Sequence, residues 1–364
     1  MKVTQLSIEA FRNLREIDWT PRGGVNVIYG ENGQGKTNLL EAIWIFSGAK
    51  SFRGAKEAEL IPIGGQQAGL SLRFSDSYRE HLGKLRLGEK KEILLDGMPV
   101  DSLPGLSGSL CCVVFSPTHL NLIKGGPAER RKSLDTVIGQ VKPRYLSVLS
   151  EYQRLLTQRA ALLKDAQMQP ALLDTLDIWD EALCQRGALL TVTRKSFVER
   201  LTPIACEIYR GISTGREEFS LRYLSSIESD GESSRETMKK LLAERRGDDL
   251  RTGMTSVGPH RDDLEVLFNG ISARSFGSQG QQRSGVLAMK FAESALIEQV
   301  VGQPPVILLD DVMSELDSLR RDYLLHRLTG RQIFITCCDP GQVSGVDALF
   351  EMKQGCLTGG GPLG

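Results

Sequence analysis

The sequence predicts an α/β P-loop nucleotide-binding fold, cut into two halves by a long helical insertion. Three observations predict it. The stretch VIYGENGQGKTNLLEAI, Val27 to Ile43, holds a phosphate-binding loop. The run PVILLDD, Pro305 to Asp311, is an apolar strand ending in two carboxylates. Between them, from Arg130 to about Arg210, glycine is scarce and the apolar residues recur at helical spacing.

Gly30 to Thr37 match G-x-x-x-x-G-K-[ST]. Val25, Val27 and Ile28 before it read as a short β-branched strand, and Leu39, Leu40, Ile43 and Trp44 after it recur as one helix would place them. Strand, loop and helix therefore agree with the motif. Gly30, Gly33 and Gly35 allow the backbone of Glu31, Asn32 and Gln34 to curl around phosphates, which the helix N-terminus also favours. Lys36 is expected to reach the β- and γ-phosphates, Thr37 to place its hydroxyl on Mg²⁺, and Asn38 to follow in the first helical turn.

Further along, from Ser71 to Val114, the runs LSLRF, GKLRLG, KEILLDG and LCCVVF are punctuated by turn residues and predict a β-subdomain. Next, LSVLSEYQRLLTQRAALLKD and WDEALCQRGALLTVTRKSFVERL predict two amphipathic helices folded back on each other, with only Pro143, Pro170 and Pro203 breaking the period. The polar stretch SSIESDGESSRETMKK reads as a solvated loop or hairpin leading into another helix. After Gly253 strands resume as DDLEVLF and ISARSF around Asn269-Gly270, a favoured hairpin turn. The expected organisation is residues 1–120 as the N-terminal half of the nucleotide-binding head, 121–252 as a helical arm, and 253–364 as the C-terminal half.

Composition narrows the class. Forty-five basic and 45 acidic residues cancel, so no global field draws the chain onto nucleic acid, and any such contact needs a local basic face. No apolar run approaches the length of a membrane span and the N-terminus alternates like a strand, so a soluble, cytoplasmic protein is expected. Neighbours in a strand point to opposite faces, so Cys111-Cys112 and Cys337-Cys338 suit neither a bridge nor a metal site. Reduced, buried thiols are the expectation.

The segment FGSQGQQRSGVLAMKFAESALI, Phe276 to Ile297, opens a helix on a Ser-x-Gly-Gln turn shortly before PVILLDD. That order resembles the signature motif of ABC-type ATPases, with Ser278, Gly280 and Gln281 at its informative positions, and MSELDS resembles their D-loop, with Asp317 as its aspartate. VTQLSIEAFRNL and the P-loop region are similar to the start of SMC-type chromosome and repair ATPases. VVFSPTHLNLIKGGPAERRKSLD, TSVGPHRDDLEVLFNG and FGSQGQQR resemble the RecF family of bacterial recombination mediators over nearly the full length, least in the arm.

The resemblance implies an ABC-type, SMC-like ATPase head with an added β-subdomain and an inserted helical arm. It implies an ATP-dependent homodimer, its two ATPs sandwiched between P-loop and signature turn of opposite copies. Such a dimer binds DNA, single-stranded and at gapped or duplex-junction sites, and works with RecR and RecO to load RecA in replication, repair, recombination and SOS induction. Slow hydrolysis ends the clamped state. Asp310 becomes the second Mg²⁺ partner, and Asp311 stands where ABC-type heads carry a glutamate base. An aspartate reaches one methylene less far, which accords with slow turnover; helix capping is the alternative for Asp311. Arg53 lies where SMC-type heads reach the phosphates or DNA, with a plain surface arginine as alternative. Arg130, Arg131, Lys132, Arg154, Arg159 and Lys164 either track a DNA backbone or form an ordinary solvated face. His260 and Arg261 belong to a turn or to a ligand contact. Two departures stand out. Cys337 or Cys338 replaces the switch histidine of ABC-type heads, and Pro117 and Thr118 lie where a Q-loop glutamine is sought.

Rival functions fit less well. A transporter ATPase needs a coupling surface that the arm and β-subdomain do not suit. An architectural SMC-like protein needs hundreds of heptad residues, whereas this arm reaches only a few tens of ångströms at ~1.5 Å per residue. A nuclease of the overcoming-lysogenization type adds an acidic domain after the head, and little sequence follows Asp311.

Overall fold

The computed structural model of the chain describes residues 1–359 apart from 214, 216, 228–232, 317 and 344. It forms two compact units: Met1–Leu120 with Gly211–Gly215 and Val286–Gly364, and Asn121–Arg210 with Arg216–Gly285.

The first unit begins with β1 (Lys2–Ala10), β2 (Ile17–Trp19), β3 (Val25–Tyr29) and α1 (Lys36–Ile45). It continues through β4 (Ala68–Ser75), β5 (Glu80–Leu87), β6 (Glu92–Leu95), β7 (Met98–Pro99) and β8 (Cys112–Phe115). The antiparallel order β2-β1-β4-β5-β6-β7 makes the expected β-subdomain from LSLRF, GKLRLG and KEILLDG, which the N-terminal strand joins. Its strands alternate in burial, as a sheet with one covered face requires. LCCVVF is corrected: β8 is buried throughout and pairs parallel with residues 306–309 in the unit's other sheet.

In the second unit follow α2 (Asn121–Lys124), α3 (Pro127–Val141), α4 (Pro143–Asp165), α5 (Leu176–Ile212), β9 (Phe219–Leu224), α6 (Ser234–Thr252), β10 (Asp263–Phe268), β11 (Ile271–Ser272) and α7 (Ala273–Phe276). The paired amphipathic helices are α4 and α5. Pro203 does not break α5, which runs through it as one helix. Asn269 and Gly270, at φ 51° and 75°, make the expected tight turn between β10 and β11.

The expected return to the head at residue 253 is corrected: the compact first unit resumes only at Val286, inside α8 (Gln279–Val301). The reason is β9, a strand absent from the sequence reading. It pairs antiparallel with β10, Leu221 opposite Val266, and so ties residues 263–272 to the second unit's own sheet.

The first unit's second sheet is completed by β12 (Val306–Asp310), β13 (Ile333–Cys337), β14 (Ala348–Lys353) and β15 (Cys356–Gly359), with α9 (Ser318–Arg327) between β12 and β13. Its order is β15-β14-β3-β13-β12-β8, parallel throughout except for β15. Strands β3, β13 and β12 are almost wholly buried, as parallel strands are. Their adjacency brings residue 30 and residue 310 to one sheet edge, where ligands of open α/β sheets bind. Among the described residues no helix is long and apolar enough to cross a membrane.

Candidate nucleotide site and the second-unit surface

The loop leaving β3 takes the predicted course. Gly30, Gly33 and Gly35 adopt φ of 149°, 81° and 114°, values costly for any side chain. Lys36 opens α1, buried to 7% exposure, and its ammonium is held by the carbonyl oxygens of Gly30 (2.6 Å) and Glu31 (2.9 Å). The helix N-terminus adds unpaired N–H groups and a positive field at the same place.

Across the sheet edge, Thr37 Oγ1 donates to Asp310 Oδ1 at 2.7 Å, and Thr336 Oγ1 on the intervening β13 donates to the same oxygen at 3.0 Å. Burial pushes the Asp310 carboxyl above the ordinary carboxylate range; the two hydroxyls and the field of Arg53 oppose that shift, and Asp311 adds to it. Asp311 follows in a left-handed conformation, φ 52°, its N–H bonded to Thr336 Oγ1 at 3.0 Å. Sparsely populated backbone of this kind concentrates at functional sites. Arg53 is exposed, yet tethered: its guanidinium donates to Asn38 Oδ1 at 2.7 Å.

Several supports escaped the sequence reading. Asn13 accepts from Asn38 Nδ2 at 2.6 Å and donates to the Gly33 carbonyl at 2.9 Å, linking Arg53 to the loop through side chains. Ser51 and Arg12 both engage the fully buried Glu41, fixing the segment that carries Arg53. The β14–β15 turn clamps the loop from below: Gln354 N–H donates to Gln34 Oε1 at 2.6 Å and Gly355 N–H to the Gln34 carbonyl at 3.1 Å. A Cβ on Gly355 would stand 2.1 Å from the Asn13 carbonyl, so no other residue fits that turn. Apart from Ser51, these partners lie far from the residues they support, and none carries a local motif.

Of the two candidate replacements for a switch histidine, Cys338 is the one at the loop. It is exposed, 3.3 Å from Asn32 Oδ1 and 3.8 Å from the Lys36 ammonium, whereas Cys337 is buried in β13. The expectation of uniformly buried thiols is thus corrected at Cys338, which is exposed, and at Cys206 and Cys356, which are half-buried. Asp317 lies outside the described residues.

These residues fit a nucleotide with its metal. The Lys36 ammonium, buried against the carbonyl oxygens of Gly30 and Glu31 and near the Cys338 thiol, is placed to meet phosphates, and the flank of Gly33 is open, with nothing within 4 Å of where a Cβ would stand. A hydroxyl and a buried carboxyl are hard oxygen donors of the kind Mg²⁺ takes alongside phosphate oxygens.

The second unit carries the signature-like turn. Ser278 is exposed and caps α8: its Oγ accepts from the Gln281 N–H at 3.2 Å while Gln281 Oε1 accepts from the Ser278 N–H at 2.7 Å. Gln281 Nε2 also donates to Glu217 at 2.7 Å. Gly280, half-exposed in the first turn, has open space where a side chain would be.

The proposed basic face is corrected in three places. Arg130 grips Asp263 through Nε and Nη2 at 2.7 and 2.8 Å and the Gly125 carbonyl at 2.8 Å. Arg131 donates to the Asp262 carbonyl at 2.7 Å. Arg159 has no exposed surface and joins Asp180 (2.6 Å), Asp249 (2.7 Å) and Thr255 (3.0 Å). These arginines hold the unit together. Lys132, Arg154 and Lys164 remain exposed. His260 belongs to the turn: its ring bridges the Tyr152 hydroxyl (2.7 Å) and the Thr255 carbonyl (2.9 Å), and burial lowers its pKa. Arg261 closes the same turn through its N–H to the Gly258 carbonyl at 2.8 Å.

A parallel sheet with a P-loop helix, an opposing Thr37–Asp310 pair and an antiparallel side sheet define a P-loop ATPase head of the SMC-like kind. Smc head structures share the fold at TM-score 0.55 and 16% identity over 98% of this chain and 95% of theirs. The family model described as RecF/RecN/SMC N terminal domain matches residues 2–357. The chain belongs to the RecF family. It is 39% identical to the DNA replication and repair protein RecF of Agathobacter rectalis over 98% of each chain, and 40% identical to that of Heliobacterium modesticaldum over 98% of this chain and 99% of the relative. A solved structure of the recombination mediator RecF with ATP superposes at TM-score 0.93 with 35% identity, covering 98% and 97% of the two chains.

Proposed function

We propose that the protein is an ATP-dependent DNA clamp of replication and repair, acting in the pathway of RecR and RecO to load RecA. The observation that carries this reading is the pairing of Thr37 with Asp310 at 2.7 Å, which assembles a phosphate and cation site from residues 273 positions apart. Family membership supports ATP as the nucleotide and DNA as the macromolecule.

In this reading Lys36 and the loop amides bind the β- and γ-phosphates, and Thr37 and Asp310 hold Mg²⁺, which neutralises phosphate charge when bound. Arg53, carried by Asn38, reaches toward the same phosphates. Asp311 accepts the proton of the attacking water, held by its left-handed turn at the edge of the sheet. Ser278, Gly280 and Gln281 belong to the site of a second copy: an exposed serine and the amides of a capped helix N-terminus suit a γ-phosphate. Asp317 would join them from its D-loop. ATP thereby joins two copies around DNA and hydrolysis releases them, a switch more than a metabolic turnover. A transporter role is the alternative, without an observation that favours it.

DNA affinity should be sequence-neutral and fall steeply with salt, because phosphate contacts release counterions at a log–log slope of about −0.9 per contact. Measuring affinity for a gapped duplex with ATP from low to moderate salt tests this. Replacing Lys132, Arg154 and Lys164 together by alanine should weaken binding and flatten the slope. A flat slope in the unsubstituted protein contradicts the clamp.

A further inference from the structure

Phe276, the last residue of α7, is 77% exposed. The backbone that carries it is nonetheless tightly bonded. The Ala273 carbonyl accepts from both the Gly277 N–H (3.1 Å) and Gln282 Nε2 (3.0 Å). A Cβ on Gly277 would come within 2.6 Å of that same carbonyl, so the turn leaves no room for another residue. Two positions on, Ser278 and Gln281 close their reciprocal cap. The backbone that presents the exposed ring is therefore a well-bonded turn. Ile271, at the β11 end of the same connection, is a second exposed apolar residue, at 54%.

We propose that Phe276 is an apolar anchor of the ATP-driven contact between two copies of this chain. The inference rests on the reading that Ser278 faces a nucleotide held by the second copy. Two residues of extended chain span at most about 7 Å. A stable interface covers roughly 800 Å² on each partner, a patch about 16 Å in radius. If Ser278 lies over the partner's phosphate, Phe276 lies within about 7 Å of that contact, a distance smaller than the radius of such a patch. An aromatic presented there on a well-bonded turn loses little freedom on docking and gains burial, the pattern of residues that dominate binding. The turn thus contributes a polar contact to the phosphate through Ser278 and an apolar contact to the partner's surface through Phe276.

The test is sedimentation velocity of the full chain with ATP and Mg²⁺, alongside nucleotide titration. Phe276→Ala should raise the dimer dissociation constant at least tenfold while ATP affinity of the monomer stays as in the unsubstituted protein. Phe276→Tyr should restore dimerisation, and Phe276→Trp should show a blue-shifted emission on adding ATP, absent when Ser278→Arg is combined with it. Normal dimerisation of Phe276→Ala overturns the anchor while leaving the sandwich reading intact. Normal dimerisation with lost DNA affinity assigns the ring to DNA and equally overturns it. If the unsubstituted protein stays monomeric with ATP, the sandwich reading fails and the anchor falls with it.

Discussion

Lys36→Met should lose ATP affinity on the order of a hundredfold, with little change in melting temperature. Truncating one partner of a buried, hydrogen-bonded charge contact costs about 2–5 kcal/mol. Here the cost falls on binding: among the described residues the ammonium meets the carbonyls of Gly30 and Glu31 and, more distantly, the Cys338 thiol. Those carbonyls sit in an open loop and can turn to water, so the fold loses little. Methionine keeps the stem that covers the start of α1. Calorimetric titration with ATP, paired with a thermal melt, separates the two effects. Wild-type affinity in this variant would show that the loop does not bind phosphate.

The largest stability effect is expected at Arg159→Met, in a residue for which the sequence leaves both a DNA contact and an ordinary solvated face open. The substitution leaves Asp180 and Asp249 buried beside an apolar stem, their side chains 9% and 0% exposed. Removing one partner from such a cluster costs about 3–5 kcal/mol, because Asp249 stays fully buried without its cation while Asp180 keeps the longer contact to Arg246 at 3.3 Å. Arg159→Lys should recover only part of it, since one ammonium cannot reproduce the fork that reaches both carboxylates. Arg154→Met, five residues earlier on the same helix and exposed, is the control and should shift stability by no more than about 0.5 kcal/mol. Urea unfolding followed by circular dichroism reads all three. A stable Arg159→Met protein with weakened DNA binding would restore the basic-face role to that residue.

The contrast between Lys36 and Arg159 marks what a sequence makes legible. The P-loop could be read because its chemistry is local: three glycines, a lysine and a threonine within eight positions, between a β-branched strand and an apolar helix. The hairpin at Asn269-Gly270 was legible for the same reason. Arg159 was not, because helical periodicity places a residue on a face without saying what packs there, and its partners come from α5, α6 and the segment beyond. Similarly β9, at FSLRYL, takes its identity from pairing with β10 some forty residues later, and that pairing is why the first unit resumes at Val286 rather than at the expected 253. Asn13, Gln354 and Gly355 shape the nucleotide loop through contacts that no motif records.

The central claim is that two copies close around two ATPs, each held by the P-loop of one copy and the signature turn of the other. Sedimentation velocity on Ser278→Arg and Asp311→Asn, each with ATP and Mg²⁺, tests it most directly. Ser278→Arg places a long cation where a hydroxyl and helix amides should meet a γ-phosphate, and leaves Lys36, Thr37 and Asp310 untouched. It should bind ATP and stay monomeric. Asp311→Asn keeps the side-chain shape without the base, so ATP should persist unhydrolysed and the dimer should outlast that of the unsubstituted protein on DNA. A Ser278→Arg protein that dimerises normally, or an Asp311→Asn protein that hydrolyses ATP at the unsubstituted rate, would contradict the claim.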